Sequence, residues 1–189
     1  VGHRQMGMTL TVVATGAPEG QRSDDSADVA GDQGNSGAHH SSGPIDLMAD
    51  PGPKFKPYDA VLPPLPPATG EPTVHRETFT VRDTELEVAP GVTQTLWTFG
   101  DTAPGPVLRG RVGDVFEITL VNDGSIGHSI DFHAGALAPD GPMRTIAPGE
   151  RLTYRFTATR AGIWMYHCST MPMTAHIANG MYGAVIIEP

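Results

Sequence analysis

The 189-residue chain has room for one domain of ordinary size with a long tail, and hardly for two complete ones. Its 21 acidic against 12 basic side chains leave a net charge of -9 with no Lys/Arg cluster, which excludes nucleic acid and disfavours an anionic membrane surface as partners. No apolar run reaches the length that spans a bilayer, and the N-terminus lacks a charged region followed by an apolar one, so an export signal or anchor is expected outside this chain.

In chain order, residues 9–15 read as a strand, preceded by Gly2-His3-Arg4-Gln5-Met6-Gly7-Met8. Residues 17–75 read as a linker. The 23 glycines and 18 prolines exceed ordinary usage and crowd into the first half with Ser, Asp and His. Residues 21–43 have no apolar period, and residues 51–72 carry Pro-Pro pairs that favour extended conformations, so the linker is expected to be mostly disordered. The adjacent His39 and His40 fall in this tract, where nothing holds a ligand geometry, and they read as solvated linker.

Past Glu77 the pattern changes to short alternating runs. Strands are predicted at 78–81, 95–99, 112–121, 152–156, 163–167 and 181–187. Ala89-Pro90-Gly91, Pro104-Gly105-Pro106, Asn122-Asp123-Gly124 and Ala147-Pro148-Gly149 mark the turns. Leu152, Tyr154 and Phe156 alternate with Thr153 and Arg155, as a half-buried antiparallel strand requires. With no convincing amphipathic helix, the segment is predicted to be an all-β, antiparallel sandwich.

The single cysteine, Cys168, excludes an internal disulfide. Taken alone it reads as a buried thiol filling the core. Its neighbours change that reading, because four of the eight histidines, His128, His133, His167 and His176, lie near strand ends or in loops of the sandwich, with Met181 close by. A thiolate, two imidazoles and a weak thioether make a donor set that suits blue copper, whereas structural zinc more often shows paired cysteines. Cys168, His176 and Met181 share one loop, and His128 arrives from a distant one. Successive strand residues point to opposite faces, so His167 and Cys168 are expected to serve different metals. If residues 128–133 are extended, Asp131 and His133 share a face opposite to His128. Two groups result: His128, Cys168, His176 and Met181 around sulfur, and His133, His167 and Asp131 beside it.

The strings His128-Ser-Ile-Asp131-Phe-His133, Tyr166-His167-Cys168 and His176 with Asn179-Gly180-Met181-Tyr182-Gly183 resemble the first domain of copper-containing nitrite reductases. Trp97-Thr-Phe-Gly100 through Pro104-Gly-Pro106 and Gly113-Asp114 is similar to the opening of multicopper oxidase domains generally. The resemblance covers residues 76–189 and implies a cupredoxin-type Greek-key sandwich. It implies that His128, Cys168, His176 and Met181 bind a type 1 copper, that His133 and His167 bind a type 2 copper, and that Asp131 gives a proton to nitrite. In the family, a third type 2 histidine and a catalytic histidine come from a second domain of a neighbouring subunit in a trimer. The chain reaches Pro189 where its first domain would end, so it is expected to be an incomplete part of such an enzyme. Gly2-His3, Gly7-Met8 and the run 9–13 look like the end of an upstream blue-copper domain, giving the division 1–16, 17–75 and 76–189. The resemblance further implies an extracytoplasmic location and an electron-donor protein or fused cupredoxin as partner.

Two alternatives belong to other classes. A laccase-like multicopper oxidase would carry paired His-x-His motifs, and the chain has none. A type 1 copper electron carrier would leave the coincidence of His133, His167 and Asp131 without a reason.

Overall fold

The computed structural model describes residues 44–189 except 56, 59, 60, 63 and 138–140. The strand expected at 9–15, the upstream-domain motif and the His39-His40 pair lie outside the described residues.

Among the described residues, eight strands form two four-stranded sheets. The first has the order β2-β1-β4-β6, built from β1 (Val74–Ala89), β2 (Val92–Phe99), β4 (Val115–Asn122) and β6 (Arg151–Thr157). The second has the order β3-β8-β7-β5, from β3 (Leu108–Arg111), β8 (Tyr182–Glu188), β7 (Gly162–His167) and β5 (Asp131–Phe132). This is a cupredoxin-like sandwich.

Alternation builds the layers. Along β4, Phe116, Ile118 and Leu120 are fully buried while their neighbours are not. Each such side chain stabilises the fold by about 1.5–3 kcal/mol relative to exposure. Phe116 stacks on Phe156 at 5.0 Å. Phe132, from the opposite sheet, meets Tyr154 at 5.1 Å, Tyr166 at 5.3 Å and Phe156 at 5.4 Å. That aromatic cluster spans both sheets, and it anchors the two-residue strand on which Asp131 sits.

Three features depart from the sequence reading. The strand predicted over 112–121 starts late, at Val115: residues 112–114 form the turn between β3, which pairs with β8 in one sheet, and β4, which pairs with β1 and β6 in the other. The break falls at Gly113, whose φ of 96° favours glycine, and at Asp114. The Asp114 carboxylate accepts the N–H groups of Arg111 and Thr73, each at 2.8 Å, and contacts His75 Nε2 at 2.8 Å. Burial opposes its charge, but these donors hold its pKa below the usual carboxylate value. Secondly, the sandwich is not purely antiparallel, since β1 with β4 and β3 with β8 run parallel. Chain crossings between sheets bring those neighbours together. Thirdly, a short helix, α1 (Met173–Ala178), occupies part of the loop that carries His176. Six residues are too few to show a helical period.

Among the described residues before Val74 there is neither helix nor strand. The segment still contacts the sandwich. Glu87 Oε1 accepts the Gly52 N–H at 2.7 Å, the Tyr58 hydroxyl donates to the Pro104 carbonyl, and Arg111 Nη2 donates to the Pro66 carbonyl at 2.8 Å. Among the described residues, no helix is long and apolar enough to cross a membrane.

Candidate metal centres

The first cluster forms where two distant loops are pinned together. At the end of β4 the buried Asn122 donates from Nδ2 to the carbonyls of Ile126 at 2.8 Å and Ile146 at 3.0 Å, and its Oδ1 accepts the Gly124 N–H at 3.0 Å. The next residues therefore have little choice of path. His128 then exchanges backbone hydrogen bonds with Ile146, at 3.1 and 2.8 Å. On the other side Cys168 follows β7, and its N–H donates to the Met181 carbonyl at 3.1 Å, closing the ligand loop. Within that loop α1 presents His176, whose carbonyl accepts the Met181 N–H at 3.2 Å.

The outcome is a compact donor set. Cys168 Sγ lies 3.4 Å from His176 Nδ1 and 3.9 Å from His128 Nδ1, and the two nitrogens are 3.2 Å apart. A point about 2 Å from all three atoms exists, the ordinary length of a metal bond to nitrogen or sulfur. His128, Cys168 and Met181 have no exposed surface, and His176 is 2% exposed. Burial, with His176 beside it, pushes the His128 pKa down to about 4, and burial lowers that of His176. Both rings are neutral at pH 7, with lone pairs available. His128 Nε2 is buried without a hydrogen-bond partner among the described residues, so packing against the Trp97 and His176 rings orients this imidazole in place of the acceptor usual for a metal-bound histidine. The donor set therefore fits copper.

One expected result concerns the metal-free protein. Unfolded His128 takes up its proton near pH 6.5 but folded His128 only near 4, so the unfolded state binds more protons between those values. Stability should fall as pH drops from 6.5 towards 4. The urea midpoint of apo protein should be lower at pH 4.5 than at pH 7, with a smaller difference in His128→Gln.

The second cluster sits one residue away. Asp131 and His167 are direct partners across β5 and β7. His133 Nε2 lies 3.0 Å from His167 Nε2, and Asp131 Oδ2 lies 3.7 Å from His133 Nε2 and 4.0 Å from His167 Nε2. The expected extension of 128–133 holds only in part, because β5 stops at Phe132 and His133 opens a 3-10 turn, His133–Gly135. The three groups still converge. His167 Nδ1 lies 3.0 Å from the Cys168 carbonyl, which can only accept, so Nδ1 carries the proton and Nε2 faces the cluster with a lone pair. The His133 side chain is 47% exposed against 9% for His167, so this cluster opens to solvent on one side while the sulfur cluster is closed.

Trp97 and Asn179 enter the sequence reading only as letters of the family resemblance, with no role of their own. The Trp97 ring lies 4.7 Å from that of His176 and 5.7 Å from that of His128, and its backbone N–H donates to Asn179 Oδ1 at 2.7 Å. Together they clamp β2 onto the ligand loop. Only long-range contact reveals such a role.

The sandwich and the His-Cys-His group define a cupredoxin-type copper domain. Residues 80–189 match the multicopper oxidase family, and the chain belongs to it. The copper-containing nitrite reductase of Neisseria meningitidis serogroup A is 36% identical over 132 residues, covering 67% of this chain and 34% of that protein. That of Alcaligenes xylosoxydans is 36% identical over 151 residues, covering 77% and 43%. Among solved structures, a copper nitrite reductase from Nitrosomonas europaea superposes with a TM-score of 0.59 at 42% identity, covering 62% of this chain and 42% of that one. A multicopper oxidase superposes with 0.58 at 36% identity, covering 65% and 45%. The chain thus spans less than half the length of these relatives.

Proposed function

We propose that this chain is the first-domain portion of a copper-dependent nitrite reductase that converts nitrite to nitric oxide. The observation that carries this reading is the pair of donor clusters joined through one peptide bond, His167-Cys168. His128, Cys168, His176 and Met181 would hold the type 1 copper, and His133 and His167 would supply two ligands of the type 2 copper. Bound there, copper supplies a one-electron relay at the closed site and an open position for an anion at the exposed one.

The reaction NO2⁻ + e⁻ + 2H⁺ → NO + H2O requires a proton source beside the anion. Asp131 lies within 4.0 Å of both imidazoles of the open cluster and is partly exposed, so it can take a proton from water and hand it to a bound oxygen. The His167 Nδ1–H held by the Cys168 carbonyl keeps that ring turned towards the open cluster. Burial of the sulfur cluster keeps water from the relay.

Two imidazoles leave a type 2 site short of a ligand. The missing one would come from another domain or subunit, in an assembly read as a homotrimer, with an electron-donor protein or fused cupredoxin reducing the type 1 site outside the cytoplasm. The isolated chain should accordingly hold one copper tightly and a second weakly. Metal analysis after dialysis checks this, and two firmly held coppers in a monomer would contradict it. The function is tested by assaying the chain in its complete protein with nitrite and a reductant. Nitric oxide release supports the reading, whereas oxygen consumption without nitrite turnover would favour the laccase-like alternative.

A further inference from the structure

Beside Cys168 runs a row of hydroxyl groups that no ligand role explains. Ser129, fully buried, donates its backbone N–H to Cys168 Sγ at 3.4 Å, a bond that almost any residue there could make. Its hydroxyl is the distinctive part. Ser129 Oγ accepts the Ser169 N–H at 3.1 Å and the Thr170 hydroxyl at 2.9 Å, which fills both lone pairs of a hydroxyl oxygen. Its own proton must then be donated, and the acceptors in reach are Ser169 Oγ at 3.0 Å and Cys168 Sγ at 3.9 Å. Since Thr170 spends its proton on Ser129, the Thr145 hydroxyl, 2.9 Å away, donates to Thr170. Thr145 is exposed. The row Thr145, Thr170, Ser129 is therefore polarised in one direction, from solvent to the Ser129 hydroxyl, whose proton has Ser169 Oγ nearer than Cys168 Sγ.

We propose that this hydroxyl row tunes the reduction potential of the Cys168 site, with Ser129 as the positioning residue that delivers its effect. The proposal rests on the sulfur-site reading made under Proposed function. The Ser129 backbone N–H, which the row holds against Sγ at 3.4 Å, directs the positive end of a dipole at the thiolate; this draws electron density from sulfur, weakens its donation to copper and favours the reduced ion, which raises the potential. Aligned hydrogen bonds polarise one another, and a buried setting strengthens each. The same hydroxyls tie residue 129 to residues 169 and 170, and residue 170 to residue 145, so His128 and Cys168 are held in mutual position.

The test uses the copper-loaded full chain, with redox titration against a one-electron mediator and the energy of the sulfur-to-copper absorption band. Thr170→Val keeps the shape and removes the donor. It and Ser129→Ala should shift the equilibrium severalfold towards the oxidised form and move the band to longer wavelength. Thr170→Ser should restore both, and Thr145→Val should fall between wild type and Thr170→Val. If Ser129→Ala fails to fold, the partly exposed Thr170 carries the test. An intact band with an unmoved potential in Thr170→Val, or Thr170→Ser shifted as far as Thr170→Val, would overturn the proposal alone. A wild-type protein with no sulfur-to-copper band would overturn the site reading and the proposal with it.

Discussion

Cys168→Ser is expected to abolish the intense visible absorption of the copper-loaded protein. That band arises from charge transfer between a thiolate and copper, and Cys168 is the only cysteine in the chain. Its sulfur lies within 3.9 Å of both ring nitrogens in a pocket closed to water, so no other group can take its place. Serine preserves the local shape and leaves an alcohol that ionises poorly, so the two histidines would hold copper weakly and without colour. Met181→Leu is the companion experiment. The Met181 side chain is fully buried, while its backbone carbonyl and N–H are held by Cys168 and His176. Leucine fills similar volume and leaves those backbone bonds intact. Copper should stay bound and coloured, with a raised reduction potential, because a thioether is a weak donor that would tune a site held by one thiolate and two imidazoles. A visible band surviving in Cys168→Ser would refute the ligand assignment, and loss of copper in Met181→Leu would make the methionine an anchor.

Asp131→Asn, in a form of the protein that includes the completing domain, should leave both coppers bound and lower nitrite turnover by about two orders of magnitude or more, the usual scale for a positioned acid. Asparagine keeps the size and hydrogen-bonding capacity of the side chain but removes the ionisable proton. The position across from His167 on β7 is unchanged by the substitution, so metal binding should not suffer. Reduction of the sulfur site by an external donor should also proceed normally, since Asp131 does not reach it. His133→Ala should act differently. Its Nε2, 3.0 Å from that of His167, is half of the imidazole pair, and losing it should empty the second site and abolish turnover. Nitric oxide assays at matched copper content check both outcomes. Wild-type rates in Asp131→Asn would remove the residue from the mechanism. Indifference to both changes would fit an electron carrier.

The candidate donors were legible in the sequence because the chain has a single cysteine, Cys168, which adjoins His167, and because His128, His133 and His176 lie near strand ends or in loops of the same segment. Strand parity alone separates His167 from Cys168, and the structure places them in different clusters. The alternation of Tyr154 and Phe156 in β6 showed which face is buried, since a period of two follows from the pleat of any strand. Parity was less sure guidance at His133, where the strand ends early and a 3-10 turn brings the ring to the same neighbours by another route.

What the sequence by itself determined is local: the strand periods, the turn residues, and a donor set whose chemistry selects copper. The tertiary structure alone decided how the strands are shared between sheets, with β3 and β4 divided at Gly113 and Asp114, because the donors that stabilise the break include Thr73, 41 residues away from Asp114. It alone revealed the clamp of Trp97 on Asn179, across 82 residues, and the hydroxyl row that joins Thr145, Thr170 and Ser129. Hydrogen bonds between short polar side chains depend on distance in space and leave no period along the chain, so the donors can be read from the sequence while the groups that aim and tune them appear only once the sheets are packed.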